Sequence, residues 1–301
     1  MPGISRRRCV RGLSTTILTF AALASATPAS GQRLVRASSE IAADSDSVAR
    51  ARSVEQQRAT REPLFSHGDA LMAAGFGVAT IALSPLDRQI EQELRDSSAQ
   101  ANHFFKSTSK GVELIASPGA YVIGGGLYIA GRLAHSPRIA DLGWHGTEAV
   151  LVAQGVTILL KGSLGRARPF VSRDTNPRDF SFGSGFTSGD RSSFPSGHTS
   201  TAFAAASAVT AEVSNWWPRS KWIVGPMMYA GATAVGLSRM YHDRHWASDV
   251  ALGAAIGTFS GRKVVQYTHT HPTNAIDRVM LHASVMPTRD GAILALTLPA
   301  P

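Results

Sequence analysis

Cysteine is almost absent from this chain of 301 residues, because the one cysteine, Cys9, lies in a basic and apolar N-terminal segment. The rest of the chain therefore has neither a disulfide framework nor a thiol nucleophile. Aromatic residues make up 7% and charged residues 17% of the sequence, and no basic run is interleaved with aromatics. This composition excludes nucleic acid as a partner. The hydrophobic content of 44% allows a large buried core.

Long uninterrupted apolar runs are also scarce. A transmembrane helix needs roughly 20 apolar residues, whereas most apolar segments here are shorter and carry polar residues such as Glu148, Gln154 and Glu212. The mean hydropathy of the chain is −0.01. Three spanning helices after a cleaved signal would also place Lys161 on the cytoplasmic side. The pattern favours an exported bundle that is at most partly associated with a membrane.

The N-terminus has the layout of a secretory signal peptide. Four arginines between positions 6 and 11 precede the apolar stretch 13–23, and the small residues 24–26 form a cleavage site. This layout predicts a protein of the periplasm or cell envelope. The formal net charge of +9 stays positive after removal of those arginines, which suits phosphorylated substrates or anionic lipid surfaces.

The apolar segments after residue 67 have helical lengths and no alternation with strands, which predicts an all-α fold, a helical bundle of about six core helices. They lie at 68–84, 111–133, 146–161, 198–213, 221–237 and 248–260. Residues 87–110 are polar and amphipathic, and residues 170–194 form a loop rich in Gly, Ser, Asp and Arg.

The two ends of the chain differ from this bundle. Strand-like segments at 279–286 and 292–298, joined by a turn at 289–291, predict a short C-terminal β-hairpin; a disordered tail is the alternative. The predicted organisation is a signal peptide at 1–26, a linker or loose helix at 27–66, a helical domain at 67–265 and a tail at 266–301.

Two polar segments lie at the ends of predicted helices. Lys161 and Arg168, with Arg166 nearby, could hold a dianion, although basic residues also end helices because they complement the helix dipole. Ser196 and Gly197 precede another helix, where N–H groups can bind phosphate or where the residues are an ordinary N-cap. Each segment alone is better explained by its structural role.

The third polar segment, 238–249, adds an arginine, a histidine and an aspartate. His245 and Asp249 are four residues apart and would share a helix face, so that the carboxylate orients the imidazole. Arg239 supplies a planar fork for a phosphate or carboxylate. Because short connections join antiparallel helices, the chain order brings all three polar segments to one end of the bundle.

The three segments together resemble the signature of the type-2 phosphatidic acid phosphatase and vanadium haloperoxidase superfamily. The signature consists of a lysine separated by six residues from Arg168-Pro169, the run 195–198 (Pro-Ser-Gly-His), and Ser238-Arg239 followed by His245 and Asp249 at fixed spacing. The resemblance covers the helical domain and leaves out residues 27–62 and the C-terminal hairpin.

The resemblance implies a metal-independent phosphatase that hydrolyses phosphate monoesters or diphosphates, with a phosphorylated lipid or small phosphoester as substrate. His245 would attack phosphorus and become phosphohistidine, Asp249 would orient His245, and His198 would protonate the leaving group. The implied phosphate-binding residues are Lys161, Arg168, Ser196, Gly197 and Arg239. No metal and no cofactor is implied.

Two alternatives remain open. Vanadate is a tetrahedral analogue of phosphate, so the same pocket could hold it as an inhibitor or as the cofactor of a haloperoxidase. A non-catalytic envelope protein would need an altered catalytic position, and every catalytic position of the signature is intact.

The remaining titratable residues are interpreted as structural or solvated. His242 and Asp243 are expected at the rim, and His269 and His271 in a solvated tail with adventitious metal affinity at most. Four further histidines are interpreted as structural or surface residues: His67, His103, His135 and His145. Three arginines of the loop 170–194 are either solvated or select acidic or phosphorylated substrates: Arg173, Arg178 and Arg191.

Overall fold

The computed structural model describes residues 63–96, 109, 111–171, 176–272, 274–281, 283–288 and 291–296. They all lie within one compact unit, Arg58–Pro301. The predicted signal peptide and the segment 27–62 lie outside the described residues. From residue 283 onward only the backbone is described.

Helices dominate the described residues, as the sequence predicts. They are α1 (His67–Leu83), α2 (Asp87–Arg95), α3 (Ala120–Leu133), α4 (Pro137–Leu164), α5 (Gly197–Trp216), α6 (Lys221–Tyr241), α7 (Ala247–Thr270) and the short α8 (Ala275–Met280). A 3-10 turn, Ser84–Leu86, connects α1 to α2, and an irregular π-helical turn, Ile115–Gly119, precedes α3.

Helix α4 is longer than the predicted segment 146–161. It begins at Pro137, where a proline costs no helical hydrogen bond. It ends at Leu164, and the capping residue Gly165 has a left-handed φ of 59° that favours glycine. Polar residues such as His145 interrupt the apolar pattern in the first half of α4, so the sequence predicted only the later part of this helix.

The expectation that the apolar segments are too short to cross a membrane is wrong for three of them. Residues His67–Arg95, Gly111–Leu133 and Pro137–Leu164 form helices that are long and apolar enough to span a bilayer by length and composition. Large apolar side chains on these helices are more than half exposed, including Leu71, Val78, Ile81, Val122, Ile129 and Leu159. Exposed apolar surface of this extent indicates association with a membrane.

Helices α5 and α7 pack at close range along a stripe of glycines. A Cβ on Gly253 would lie 2.6 Å from the carbonyl oxygen of Ser196, and one on Gly261 would lie 2.6 Å from that of Ala204. Gly257, midway between them, faces the carbonyl of Ser200 even more closely. Small residues at every fourth position let two helix backbones approach. This contact fixes the start of α5 against the start of α7.

The predicted C-terminal hairpin is present, with shifted bounds. Strands β1 (Ala283–Thr288) and β2 (Gly291–Leu296) pair antiparallel, with Ala283 opposite Leu296 and Thr288 opposite Gly291. The predicted first strand began at residue 279, which instead lies in α8.

The glycine stripe makes a testable prediction. Gly257→Ala should lower the free energy of unfolding by about 1–3 kcal/mol, because the methyl group has no room against the α5 backbone. The apparent melting temperature of the detergent-solubilised protein would report this loss.

Gly231→Ala is the matched control, since nothing lies within 4 Å of the added carbon on α6. Equal melting temperatures for the two variants would contradict the proposed role of the stripe.

Candidate active site

One end of the bundle gathers all three polar segments of the sequence. Helix α4 ends there at Leu164, α5 begins there at Gly197, α6 ends at Tyr241 and α7 begins at Ala247. The predicted convergence of these helix ends is present in the structure.

The Asp249 side chain accepts three hydrogen bonds at this end. Its fully buried carboxylate accepts from Arg166 Nη1 at 2.5 Å, from Ser193 Oγ at 2.5 Å and from the Trp246 N–H at 2.8 Å. Burial raises the pKa of Asp249, but Arg166 and the hydrogen bonds outweigh it and lower the pKa to about 2. Asp249 is therefore a fixed anion at neutral pH.

The hydrogen bonds of Arg166 go to Asp249 and its neighbours rather than to the anion pocket. Its guanidinium is buried and also donates to Ser248 Oγ at 2.8 Å and to Asp87 Oδ2 at 2.7 Å. The rings of Phe180, Phe194 and Trp246 surround it at 5.4–5.6 Å. The expectation that Arg166 helps to hold a dianion is not supported by these contacts.

Asp87 was missed by the sequence analysis. It is the first residue of α2 and is fully buried, and it accepts from Arg166 and from the N–H and Oγ of Ser248 at 2.8 and 2.6 Å. An aspartate at the start of a helix usually caps it, so sequence alone gave no reason to place it beside Asp249.

His245 lies just before α7 and not on its face. Its Nδ1 is 3.5 Å from Asp249 Oδ2, and the residue is 3% exposed. The carboxylate reaches back because Asp249 occupies the first turn of α7. Burial lowers the pKa of His245 to about 3, against the opposing effect of Asp249, and Lys161 lowers it further. The imidazole is therefore neutral at physiological pH.

Lys161 and Arg168 meet at Ser192. The Lys161 ammonium donates to the Ser192 carbonyl at 2.5 Å, and Arg168 Nη2 donates to Ser192 Oγ at 2.9 Å. Burial lowers the pKa of Arg168, and the charge of Arg239 lowers it further. The three cations therefore repel one another across the pocket while no anion is bound.

Glu113 balances part of this charge and was also missed by the sequence analysis. It accepts from Arg239 Nη1 at 2.6 Å and from His242 Nδ1 at 2.7 Å. His242 is therefore held by hydrogen bonds beside Arg239 and is not a free rim residue. Among the described residues, the buried Nε atoms of Arg168 and Arg239 have no hydrogen-bond partner.

Ser196 is held in place from two directions. Its N–H donates to the carbonyl of Asp249 at 2.9 Å, and its Oγ accepts from Thr199 Oγ1 at 2.8 Å. The Ser196 N–H is thus engaged and not directed at a ligand, unlike the expected phosphate contact. Gly197 lies beside Lys161, whose Cε would be 3.5 Å from an added Cβ. The start of α5 and the lysine therefore share one pocket.

His198 follows in the first turn of α5 and is half-buried. Burial, and then the charge of Arg239, lower the pKa of His198 to about 4. Among the described residues its ring has no hydrogen-bond partner, so it can reach a ligand. The same cations that depress this pKa would be neutralised by a bound dianion, which favours a protonated His198 in the complex.

The other candidate residues are ion-paired, exposed or outside the described residues. Arg191 pairs with Asp179 at 3.0 Å, and Asp243 pairs with Arg95 at 3.1 Å. His67, His135 and Arg178 are exposed or half-exposed. Arg173 and His103 lie outside the described residues.

A family model described as the PAP2 superfamily matches residues 143–272. This part of the chain is similar to the PAP2 superfamily. The matched PAP2 region contains all three polar segments of the pocket, and it leaves Asp87 and Glu113 outside.

Relatives of this PAP2 region include a curated protein and two solved structures. The lipid A 1-phosphatase of Porphyromonas gingivalis is 46% identical over 71 residues, which are 23% of this chain and 15% of that protein. The chain thus spans only a small part of the curated relative. The crystal structure of Aquifex aeolicus LpxE is 21% identical, over 60% of this chain and 96% of that one, with a TM-score of 0.44.

The second solved structure is a transmembrane PAP2-type phosphatidylglycerolphosphate phosphatase from Bacillus subtilis. It is 19% identical, and the match covers 65% of this chain and 98% of that chain with a TM-score of 0.30.

The buried Arg166 makes a prediction about stability. Arg166→Ala should lower the free energy of unfolding by roughly 3–5 kcal/mol, because it leaves Asp249 and Asp87 buried without their cation. Chemical denaturation followed by circular dichroism would measure the loss.

The pair between Arg191 and Asp179 provides the comparison, since both side chains are about one-third exposed or more. Arg191→Ala should cost less than about 1 kcal/mol. A similar loss of unfolding free energy for Arg166→Ala and Arg191→Ala would contradict the proposed role of Arg166 in neutralising Asp249 and Asp87.

Proposed function

We propose that this chain is a phosphatase that hydrolyses phosphate monoesters or diphosphates of membrane lipids through a phosphohistidine intermediate. One observation carries the proposal: Lys161 and Arg168 lie near a neutral, buried His245, and Arg239 lies near Arg168 and His198. Both guanidinium groups keep a buried Nε without a hydrogen-bond partner among the described residues. Such a pocket suits the equatorial oxygens of a phosphoryl group.

A lipid substrate is supported by two further observations. Three helices are long and apolar enough to cross a membrane, and α4 carries Lys161 at its site end. The curated relative is by name a phosphatase of lipid A. A phosphate carried on a lipid would thus reach the pocket from the membrane in which the helices lie.

In the first step, Nε2 of His245 attacks phosphorus, a P–N bond forms, and the P–O bond to the leaving alcohol breaks. Asp249 faces Nδ1 at 3.5 Å, so the proton stays on Nδ1 and the lone pair is on Nε2. Because the pKa of His245 is about 3, no proton has to leave the nucleophile before attack.

His198 acts on both steps. It donates its proton to the departing alkoxide oxygen and becomes neutral. It then accepts a proton from the water that attacks the phosphohistidine, the P–N bond breaks, and phosphate leaves. The three cations stabilise the charge that spreads over the phosphoryl oxygens in both transition states.

Removal of the nucleophile tests the chemistry. His245→Ala should lower kcat for hydrolysis of phosphatidate and of an aryl phosphate by at least about 10³-fold, because no phosphohistidine can form. Rapid acid-free quenching with a ³²P-labelled substrate should trap a base-stable, acid-labile phosphoenzyme in the parent protein only.

The exposed His67 is the control position. His67→Ala should leave both the hydrolysis rate and the trapped phosphoenzyme unchanged. Initial rates should be unchanged directly after addition of EDTA. Full activity of His245→Ala would refute the mechanism, and immediate loss of activity with EDTA would refute metal independence.

The acid role of His198 predicts a dependence on the leaving group. His198→Gln should slow hydrolysis of an alkyl phosphate by roughly 10²–10⁴-fold. It should slow p-nitrophenyl phosphate hydrolysis far less, because that leaving group needs little protonation. Steady-state kinetics with the two substrates would compare the losses.

The pH profile gives an independent check on His198. His198 must be protonated to donate, so activity falls as pH rises through its pKa. Burial and the pocket cations hold that pKa at about 4 in the free protein, and a bound dianion raises it. The alkaline limb should therefore lie at higher pH in kcat than in kcat/KM, and the His198→Gln variant should lack it. An alkaline limb that persists in His198→Gln, or equal losses of its activity on the alkyl phosphate and on p-nitrophenyl phosphate, would contradict the acid role.

A further inference from the structure

A second cluster of titratable side chains lies at the end of the bundle opposite the active site. Helices α4, α5 and α7 contribute His145, Glu212 and His269. His145 Nδ1 lies 2.5 Å from Glu212 Oε1, and His269 Nε2 lies 3.0 Å from both carboxylate oxygens. The proposed phosphatase chemistry uses none of these groups.

Two members of the cluster are buried, the third, His269, is exposed, and further carboxylates lie nearby. Glu212 is 0% and His145 3% exposed, and among the described residues the hydrogen bonds to Glu212 come from imidazoles only. Asp141 and Glu148 lie close enough to His145 for their charges to interact. Glu148 Oε2 is itself a buried oxygen without a hydrogen-bond partner in the described residues. A nearby cation would stabilise the charged forms of these buried carboxylates.

A further carboxylate orients His145. Asp277 Oδ2, from α8, lies 3.5 Å from the far ring nitrogen, Nε2, and accepts from Asn274 Nδ2 at 2.7 Å. Trp144 Nε1 donates to its other oxygen at 3.2 Å. This contact orients the ring, and it favours the proton on Nε2 once a metal ion replaces the proton that Nδ1 shares with Glu212. A carboxylate behind a histidine in this way is characteristic of metal-binding histidines.

We propose that His145, Glu212 and His269 bind a zinc ion. Two imidazole nitrogens and one carboxylate oxygen are ligands that zinc accepts, at about 2.0–2.2 Å. The three ligand atoms lie within 4.8 Å of one another, so small rotations of the side chains open the tetrahedral spacing. His269 has a side chain 30% exposed, which gives the ion a route from solvent and leaves a position for water.

The zinc ion stabilises the bundle and takes no part in hydrolysis. Its ligands come from three helices, and through Asp277 it also fixes α8, which immediately precedes the C-terminal hairpin. The site therefore joins the helix ends that are remote from the phosphate pocket. Since it lies outside that pocket, its removal lowers stability before it affects initial hydrolysis rates.

The experiment uses the full chain, purified in detergent with its affinity tag removed and stripped with EDTA. Equilibrium dialysis against zinc, followed by elemental analysis, should return one zinc ion per chain. Zinc should raise the melting temperature by several degrees, because it binds the folded state. Cobalt in place of zinc should give the visible absorption of a tetrahedral site.

Two variants decide the assignment. His269→Gln, at the exposed edge of the cluster, should lose the bound ion, the thermal shift and the cobalt spectrum. His271→Gln, two residues further along and stacked on Tyr267, should keep all three. Glu212→Gln should repeat the loss.

The site is refuted if the parent protein binds no zinc, or if His269→Gln binds as much as the parent. Hydrolysis of an aryl phosphate by metal-stripped His269→Gln confirms that the variant is folded. Failure of the phosphatase proposal would leave the dialysis result unaffected, so the two proposals can fail separately.

Discussion

The contact between Arg166 and Asp249 holds the active-site end of the bundle together. Two charges that are both buried are costly to desolvate, and they are retained only when the geometry satisfies them. Here one guanidinium joins the segment after α4, the first turn of α7 and, through Asp87, the start of α2. The position of Asp249, and with it that of His245, is thus fixed by parts of the chain distant in sequence.

The site histidines stay unprotonated in a positively charged pocket, although the fixed anion Asp249 favours the protonated form of His245. Asp249 faces the Nδ1 side of His245, while Lys161, Arg168 and Arg239 face the pocket. Burial and the cations keep both site histidines neutral in the empty pocket. A phosphate dianion changes the balance, because it neutralises the cations that oppose protonation of His198. Binding of the substrate would therefore favour the protonated form of His198, which acts as the general acid.

The order of helices in the sequence was sufficient to place the polar segments at one end, but the directions of side chains were not. Arg166 and Arg168 are two residues apart in a segment without helix, and extended backbone would place them on the same side. The structure instead directs Arg166 to Asp249 and Arg168 to Ser192. The segment 176–193 folds back on this stretch and supplies Ser192 to Arg168 and the Pro177 carbonyl to Arg166. Loop geometry of that kind cannot be predicted from local sequence.

The length of the membrane-compatible helices was misjudged for a related reason. Mean hydropathy counts every polar residue against a span, wherever its side chain points. Gln154, on α4, turns inward and donates to the Gly197 carbonyl at 2.9 Å and to Thr201 Oγ1 at 2.7 Å. Thr157 likewise bonds Ser200 at 2.9 Å. These polar groups join α4 to α5 and leave the outer face of α4 apolar. A helix can thus carry polar residues for packing and still present a hydrocarbon surface to lipid.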